Sequence, residues 1–230
     1  MSEKQNIITI DGPAGVGKST VSRKVAGATG YTYLDTRAMY RAVGLYLERL
    51  GVGLDEPETV SRNLDKLRMK LLPPVDALSD VGVLLGDEDV SDIIRTPAMA
   101  MIASRVSALP VVREKLTQMQ RVLGEMGGVV AEGRDTGTVV FPTAKHKFFL
   151  DADPEERARR RVEQLQERGV EIDQKEILVM TLERDKNDRE RAIAPLKQAD
   201  DAIKIDTTDI SIDEVVEKIL QKISEKINSQ

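Results

Sequence analysis

An α/β fold, with a five-stranded parallel sheet, helices on both faces and a small antiparallel insertion, is predicted by three observations. Short β-branched runs alternate with helical patterns along most of the 230 residues, which is how a parallel sheet reads in sequence. The stretch Gly12-Pro13-Ala14-Gly15-Val16-Gly17-Lys18-Ser19-Thr20 joins the first such run to the first helix. Between residues 67 and 96, strand-like runs follow one another with no helix between them, as an antiparallel insertion requires.

The glycine-rich stretch matches G-x-x-x-x-G-K-[ST], and its setting suits the motif. Ile7-Ile8-Thr9-Ile10 before it reads as a buried strand, and Val21, Val25 and Ala26 after it recur at helical spacing. Glycines let successive backbone N–H groups turn inward on phosphate oxygens, and the next helix adds its positive end. Lys18 can reach the β- and γ-phosphates, and the Ser19 hydroxyl can ligand Mg²⁺. The fold class is therefore of the P-loop NTPase type, and the expected ligand is a nucleoside triphosphate.

Tyr31–Asp35 reads as the second strand, with Thr36 as the cap of a helix that carries Met39, Val43, Leu47 and Leu50 on one face. Tyr40 and Arg41 fall in its first two turns, near the strand end where ligands bind in open α/β sheets. A helical pattern over 55–67 precedes the insertion, whose strands are Met69–Leu72, Val81–Leu85 and Glu88–Val90. Ser91–Arg95 leads back to helix, and Thr96-Pro97 caps it. Leu109-Pro110 separates that helix from one running to about Met126. Val129–Ala131 and His146–Leu150 are the third and fourth strands. Asp153-Pro154-Glu155-Glu156 starts a helix to Glu167 with a capping box, and another helix covers 174–191. Ala202–Asp206 is the fifth strand. Ser211-Ile212-Asp213-Glu214 caps a final helix whose stripe is Ile212, Val215, Val216, Ile219, Ile223 and Ile227.

Composition narrows the function. The chain has no Cys, which excludes disulfide and thiolate chemistry, and its net charge of −5 argues against broad nucleic-acid binding. Its polar start, with no apolar run of membrane length, predicts a cytoplasmic protein, expected to be monomeric. His146 is the only histidine and is expected to be packed at a strand start rather than catalytic. Phosphoryl transfer needs fixed positive charge, and four stretches supply it: Arg41; Arg134 with Asp135; Arg157, Arg160 and Arg161 on one helix face; and Arg184, Asp188 and Arg191 at i, i+4, i+7. Arg159 and Arg189 are expected on the solvent side, with Asp185 and Arg189 forming a surface pair.

These motifs converge on one family. Ile10–Thr20, Leu34-Asp35-Thr36 with Ala38–Val43, Gly133-Arg134-Asp135 with Gly137–Pro142, and Pro154–Arg161 resemble bacterial cytidylate kinase. So do Asp89-Val90-Ser91, Ile94-Arg95-Thr96, Ala194-Pro195-Leu196 and Ser211–Val216, in order across nearly the whole chain. The resemblance implies transfer of the ATP γ-phosphoryl to CMP or dCMP, giving ADP with CDP or dCDP, in pyrimidine nucleotide metabolism. It implies a kinase core of residues 1–66 and 97–230, an arginine-bearing lid at about 152–168, and a monophosphate-side insertion at 67–96. Carried over by position, Lys18, Arg157 and Arg161 are catalytic; Gly12 to Thr20 hold ATP and Ser19 the Mg²⁺. Ser104, Arg113 and Asp135 read cytosine, Arg184 and Asp188 hold the sugar, and Arg41, Arg134 and Arg191 hold the acceptor phosphate, with Thr36 and Tyr40 beside them. A carboxylate accepts from the cytosine amine, whereas uracil presents a carbonyl there.

Arg37 departs from the pattern, which has glycine at that position. Either it adds a second guanidinium beside Arg41, one helical turn on, or it points to solvent or pairs with an acidic neighbour such as Asp35. Two rival functions share the phosphate-binding motif: a kinase for another small acceptor, UMP or shikimate, and a nucleotide-binding switch. A switch calls for an N-K-x-D-type stretch, and Lys186-Asn187-Asp188 has those letters out of order.

Overall fold

A computed structural model describes residues 5–228 apart from 75, 77, 78 and 168. Its main sheet has five parallel strands in the order β2-β6-β1-β7-β8: β1 (Gln5–Asp11), β2 (Thr32–Asp35), β6 (Val129–Gly133), β7 (Ala144–Asp151) and β8 (Ile203–Asp206). The parallel five-stranded expectation holds. β1 lies at the centre, with Ile8 opposite Val130 and Ile10 opposite Phe148. Ile7, Ile8 and Ile10 are fully buried because helices cover both faces of the strand, and a continuous apolar run is what such a position selects.

Alternation along β1 divides the core in two. Ile8, Ile10 and Val130 pack with α1 (Lys18–Thr29) and α8 (Ile212–Asn228) on one face. Ile7, Val129 and Ala131 pack on the other face with α2 (Thr36–Arg49), α3 (Pro57–Leu64) and α5 (Pro110–Gly124). The chain leaves β1 toward β2 but leaves β6 across β1 to β7. The carboxyl ends of β1 and β6 therefore feed opposite halves of the sheet, and the crevice between such ends is where ligands sit.

The second sheet is antiparallel, in the order β3 (Met69–Leu72), β4 (Gly82–Leu85), β5 (Glu88–Asp89). Asp80 ties this sheet to the main body through Arg23 of α1 at 2.5 Å and Arg95 at 3.0 Å. After a single tight turn at Ile93–Arg95, Thr96 caps α4 (Pro97–Val106), accepting from the Met99 N–H. α6 (Pro154–Gln166) and α7 (Gln174–Glu190) form an antiparallel pair over the loop after β1.

Several local readings change. Asp35, not Thr36, caps α2: its carboxylate accepts from the N–H groups of Arg37 and Ala38, while the Thr36 hydroxyl donates to the Glu132 carbonyl at 2.7 Å. Leu50 falls past the end of α2 and is exposed, because the chain turns at Gly51. α3 is shorter than expected, starting where Pro57 sets the first turn, and α5 stops before the left-handed Gly127 and Gly128. The box at Ser211 and Glu214 closes in both directions, whereas Glu156 turns from its cap to Arg159 and Arg160. Asp185 is buried and pairs with Arg157 rather than with Arg189 at the surface. His146 is buried in β7, as expected. Residues 1–4, residue 168 at the end of the lid and the side chain of Ile227 lie outside the described residues.

Candidate active site

The loop between β1 and α1 takes its shape from its glycines. Gly12 has φ +147°, and a Cβ there would lie 2.0 Å from the Leu150 carbonyl oxygen, so only glycine lets the loop cross β7 this closely. Gly15, at φ +84°, would place a Cβ 3.1 Å from that of Arg157, so the loop touches the lid helix. Lys18 opens α1, is buried, and donates to the Pro13 carbonyl, its ammonium curled over the loop. Burial holds its pKa well below the usual lysine value, and the Arg134 charge pushes the same way.

Beside the loop stands Glu132, which has no exposed side-chain area and lies near the end of β6. Its Oε1 accepts from the Ser19 hydroxyl at 3.1 Å and pairs with Arg37 Nη2 at 2.6 Å, and its buried Oε2 has no partner. Arg37 Nη2 also donates to the Ser19 hydroxyl, and its Nε stands 3.8 Å from Asp35. The Glu132 carboxylate outweighs burial and raises the guanidinium above its ordinary value. Of the two readings of Arg37, a pair with Asp35 is present but secondary. The main partners are Glu132 and Ser19, on the donor-loop side.

Asp11, at the end of β1, accepts from the Thr136 N–H at 2.9 Å, the Thr136 hydroxyl at 2.8 Å and the Gly137 N–H at 2.7 Å. It thereby holds the wide helical turn Thr136–Val140 that follows Asp135. Burial nevertheless pushes its pKa up to about 6, against those hydrogen bonds. Neither Asp11 nor Glu132 was read as a site residue. The signal was there: a carboxylate closing an otherwise apolar central strand must be satisfied by something.

Beyond these residues lies a chain of paired charges. Arg113 is buried, lies over the Tyr40 ring at 5.7 Å, and pairs with Asp135, whose other oxygen takes Arg191 at 3.3 Å. Arg134 bonds Asp188 at 2.8 Å. Burial opposes ionisation of Asp188, but the charges of Arg134, Arg184 and Arg191 outweigh it and lower its pKa. Arg41 and Arg184 make no hydrogen bond or ion pair among the described residues. Burial lowers both, and nearby cations, Arg37 for each and Arg134 for Arg184, add to the effect. Ser104 is the expected residue that stays apart: it is exposed on α4, and only its carbonyl is engaged, by the Ser107 hydroxyl. The carbonyl of Ser107, not Ser104, accepts from Arg113.

On the lid helix the two expected arginines differ. Arg157 is almost fully buried, bidentate to Asp185 at 3.0 and 2.6 Å, and also bonds the carbonyls of Ala14 and Ala152. Arg161 is exposed, with Gln164 at 3.4 Å. Between α6, α7 and β8 a cleft of about 680 Å³ is lined by Ala152, Arg157, Leu182, Asp185, Asp206 and Thr208, among others.

A strand, a phosphate-binding loop and a helix at the sheet's switch point, together with a cluster of arginines, define a P-loop phosphotransferase-type protein. The particular family follows from comparison with known proteins. The cytidylate kinase family model matches residues 8–225, and the chain belongs to that family. It is 46% identical over 219 residues to the cytidylate kinase of Carboxydothermus hydrogenoformans, covering 95% of this chain and 97% of that one. With the cytidylate kinase of Fervidobacterium nodosum the identity is 48% over 221 residues, covering 95% and 96%. Among solved structures, an uncharacterized protein from Eubacterium ventriosum matches with a TM-score of 0.50 at 20% identity, covering 96% of this chain and 99% of that one, a likeness of fold alone. Neither rival function is favoured. No helix among the described residues is long and apolar enough to cross a membrane.

Proposed function

We propose that the protein transfers the γ-phosphoryl group of ATP to CMP or dCMP. The observation that carries this reading is the Arg113–Asp135–Arg191 chain, joined through the field of Asp188 to Arg134 and Arg184, with Arg41 near Arg184 and neither Arg41 nor Arg184 in an ion pair among the described residues. Asp135 accepts from the cytosine amine while Arg113 donates to the ring nitrogen and carbonyl. Arg41, Arg134 and Arg191 hold the acceptor phosphate beside Thr36 and Tyr40, and Arg184 and Asp188 the sugar. Ser104 keeps a base contact only through a shift of α4. An acceptor-phosphate oxygen, already anionic, attacks the γ-phosphorus, the bond to the β,γ-bridging oxygen breaks, and ADP leaves. No base is needed, and the work is positioning and charge stabilisation. Residues Gly12 to Thr20 cradle the triphosphate, Lys18 meets the charge that develops on it, and the cleft beside Arg157 takes the donor nucleoside.

Mg²⁺ fits the residues present: the Ser19 hydroxyl and the orphan Oε2 of Glu132 are hard oxygen donors, and this ion characteristically takes few protein ligands beside phosphate and water. When bound it would offset phosphate charge. Residues 152–168 act as the lid, 67–96 as the monophosphate-side insertion, and 1–66 with 97–230 as the core. The proposal extends to a cytoplasmic monomer serving pyrimidine metabolism, and the net charge of −5 argues against nucleic-acid binding. A coupled assay of ADP formation with CMP, dCMP, UMP, AMP and shikimate tests the reading. CMP and dCMP should be the preferred acceptors, and faster turnover with UMP or shikimate would overturn it.

A further inference from the structure

Arg37 lies on the two residues that would hold a metal: on the Ser19 hydroxyl itself, and on Glu132 through Oε1, the oxygen beside the unpartnered Oε2. Its Nη2 pairs with Glu132 Oε1 at 2.6 Å and donates to the Ser19 hydroxyl, which itself bonds the same Oε1 at 3.1 Å. Hydroxyl, carboxylate and guanidinium thus form a closed triangle at the foot of the phosphate-binding loop. Without a cation there, Glu132 would be an uncompensated buried charge, which proteins rarely tolerate. The Tyr33 hydroxyl, buried beside Glu132 without a hydrogen-bond partner, is neutral and does not offset that charge. Asp35 (3.8 Å from Arg37 Nε), Lys18, Arg41 and Arg184 are the other charged groups acting on the triangle.

The Arg37 side chain is nonetheless 44% exposed, so it can leave without opening the core. It borders a cavity of about 80 Å³ shared with Asp35, Arg41, Asp80 and Arg95. Asp35 and Asp80 are the carboxylates there that could receive it once displaced. The resemblance places glycine at this position, so the device belongs to this chain rather than to the motif.

We infer that Arg37 is a tethered competitor of Mg²⁺: it neutralises Glu132 and restrains Ser19 when no metal is bound, and must give up both when Mg²⁺ arrives with nucleotide. The inference rests on the assignment of Ser19 and Glu132 to the metal. Its consequence is that nucleotide binding by this protein depends less on Mg²⁺ than it would with glycine at position 37. Two opposed effects add. Arg37 supports metal-free nucleotide by supplying a positive charge near the phosphates, and it opposes the metal by holding its ligands.

The test is calorimetric titration of ADP into the full chain, in EDTA and at increasing Mg²⁺, for the wild type, Arg37→Gly and Arg37→Gln. The ratio of ADP affinities with and without Mg²⁺ should be about tenfold larger in both variants, the scale on which neighbours of metal ligands act. Arg37→Gln keeps a polar, hydrogen-bonding side chain but is shorter and uncharged, and carries the test if the glycine variant folds poorly. A ratio within twofold of wild type in Arg37→Gln overturns the inference. So does an unchanged ratio accompanied by weaker CMP binding in the variants, which would return Arg37 to the acceptor phosphate. If Mg²⁺ affects ADP binding in none of the three proteins, the metal assignment itself falls, and the inference with it.

Discussion

The donor side of the crevice and its acceptor side are built in opposite ways. The donor loop is one unbroken stretch, Gly12 to Thr20, shaped by backbone conformation and close approach to Leu150 and Arg157. The acceptor side draws Arg41, Arg113, Arg134, Asp135, Arg184, Asp188 and Arg191 from α2, α5, the end of β6, and α7 with its flank. Apart from Arg41 and Arg184, its side chains are held by one another, as in Arg113–Asp135–Arg191 and Arg134–Asp188. A backbone-built site survives the loss of one side chain with its shape intact. A site made of mutually paired charges loses shape and recognition together, because each removal strands a partner.

Removing Lys18, the side chain proposed to meet the charge on the transferred phosphate, should have the largest effect on turnover. Lys18→Ala is expected to lower kcat by about two to four orders of magnitude, as loss of a preorganised electrostatic group does, with the unfolding midpoint almost unchanged. Near-normal turnover in steady-state kinetics would remove Lys18 from the chemistry.

The acceptor side should respond differently. Asp135→Ala leaves the buried Arg113 without its carboxylate, so chemical denaturation should show a loss of about 3 kcal/mol along with a higher KM for CMP. The ratio of kcat/KM for CMP to that for UMP should also narrow, since a buried partner of the base is gone. If stability falls while that ratio holds, Asp135 is structural only.

Asp11 links the two sides, ending β1 while gripping the turn at Thr136 and Gly137, and it sharpens the comparison through pH. Its folded pKa of about 6 lies above the ordinary aspartate value of 3.8, so the folded chain binds this proton more tightly than the unfolded one. The stabilisation is full below the unfolded value and is lost as pH rises through the folded one. Between pH 5 and 7.5 this group should remove about 1 kcal/mol from the wild type, a loss that Asp11→Asn lacks. Parallel urea stabilities of the two proteins over that range would refute the assignment.

The smallest effect is expected at the lid. Arg157 is locked to Asp185 and the Ala14 carbonyl, whereas Arg161 stands exposed one turn away, able to reach phosphate only if the helix closes further. Arg161→Ala should slow transfer by no more than about tenfold, with ATP affinity measured without acceptor unchanged. Equal losses in ATP binding and in turnover would make it a ground-state contact instead.

Much of the molecule is legible in the chain itself, for a physical reason: those features depend on neighbours in sequence. The motif from Gly12 to Thr20, the parallel strands with their buried β-branched runs, the antiparallel segment and the Ser211–Glu214 box all follow from spacing, and local hydrogen bonding and burial realise them directly. The cations proposed for the site can also be picked out from the chain, because arginine at a strand end or on one helix face suits phosphate. Which cations are held by carboxylates and which stand free was not legible. Arg157 meets Asp185 across 28 positions, Ser19 meets Glu132 across 113, and Thr136 meets Asp11 across 125. Such pairs form because burial leaves a charged or polar group no water, so it takes whatever partner the packed elements bring within reach. Arg37 is the clearest case. Its helical position was evident from the chain, but only the side-by-side arrangement of β1, β6 and α2 decided that its guanidinium turns toward Ser19 and Glu132 rather than toward Arg41.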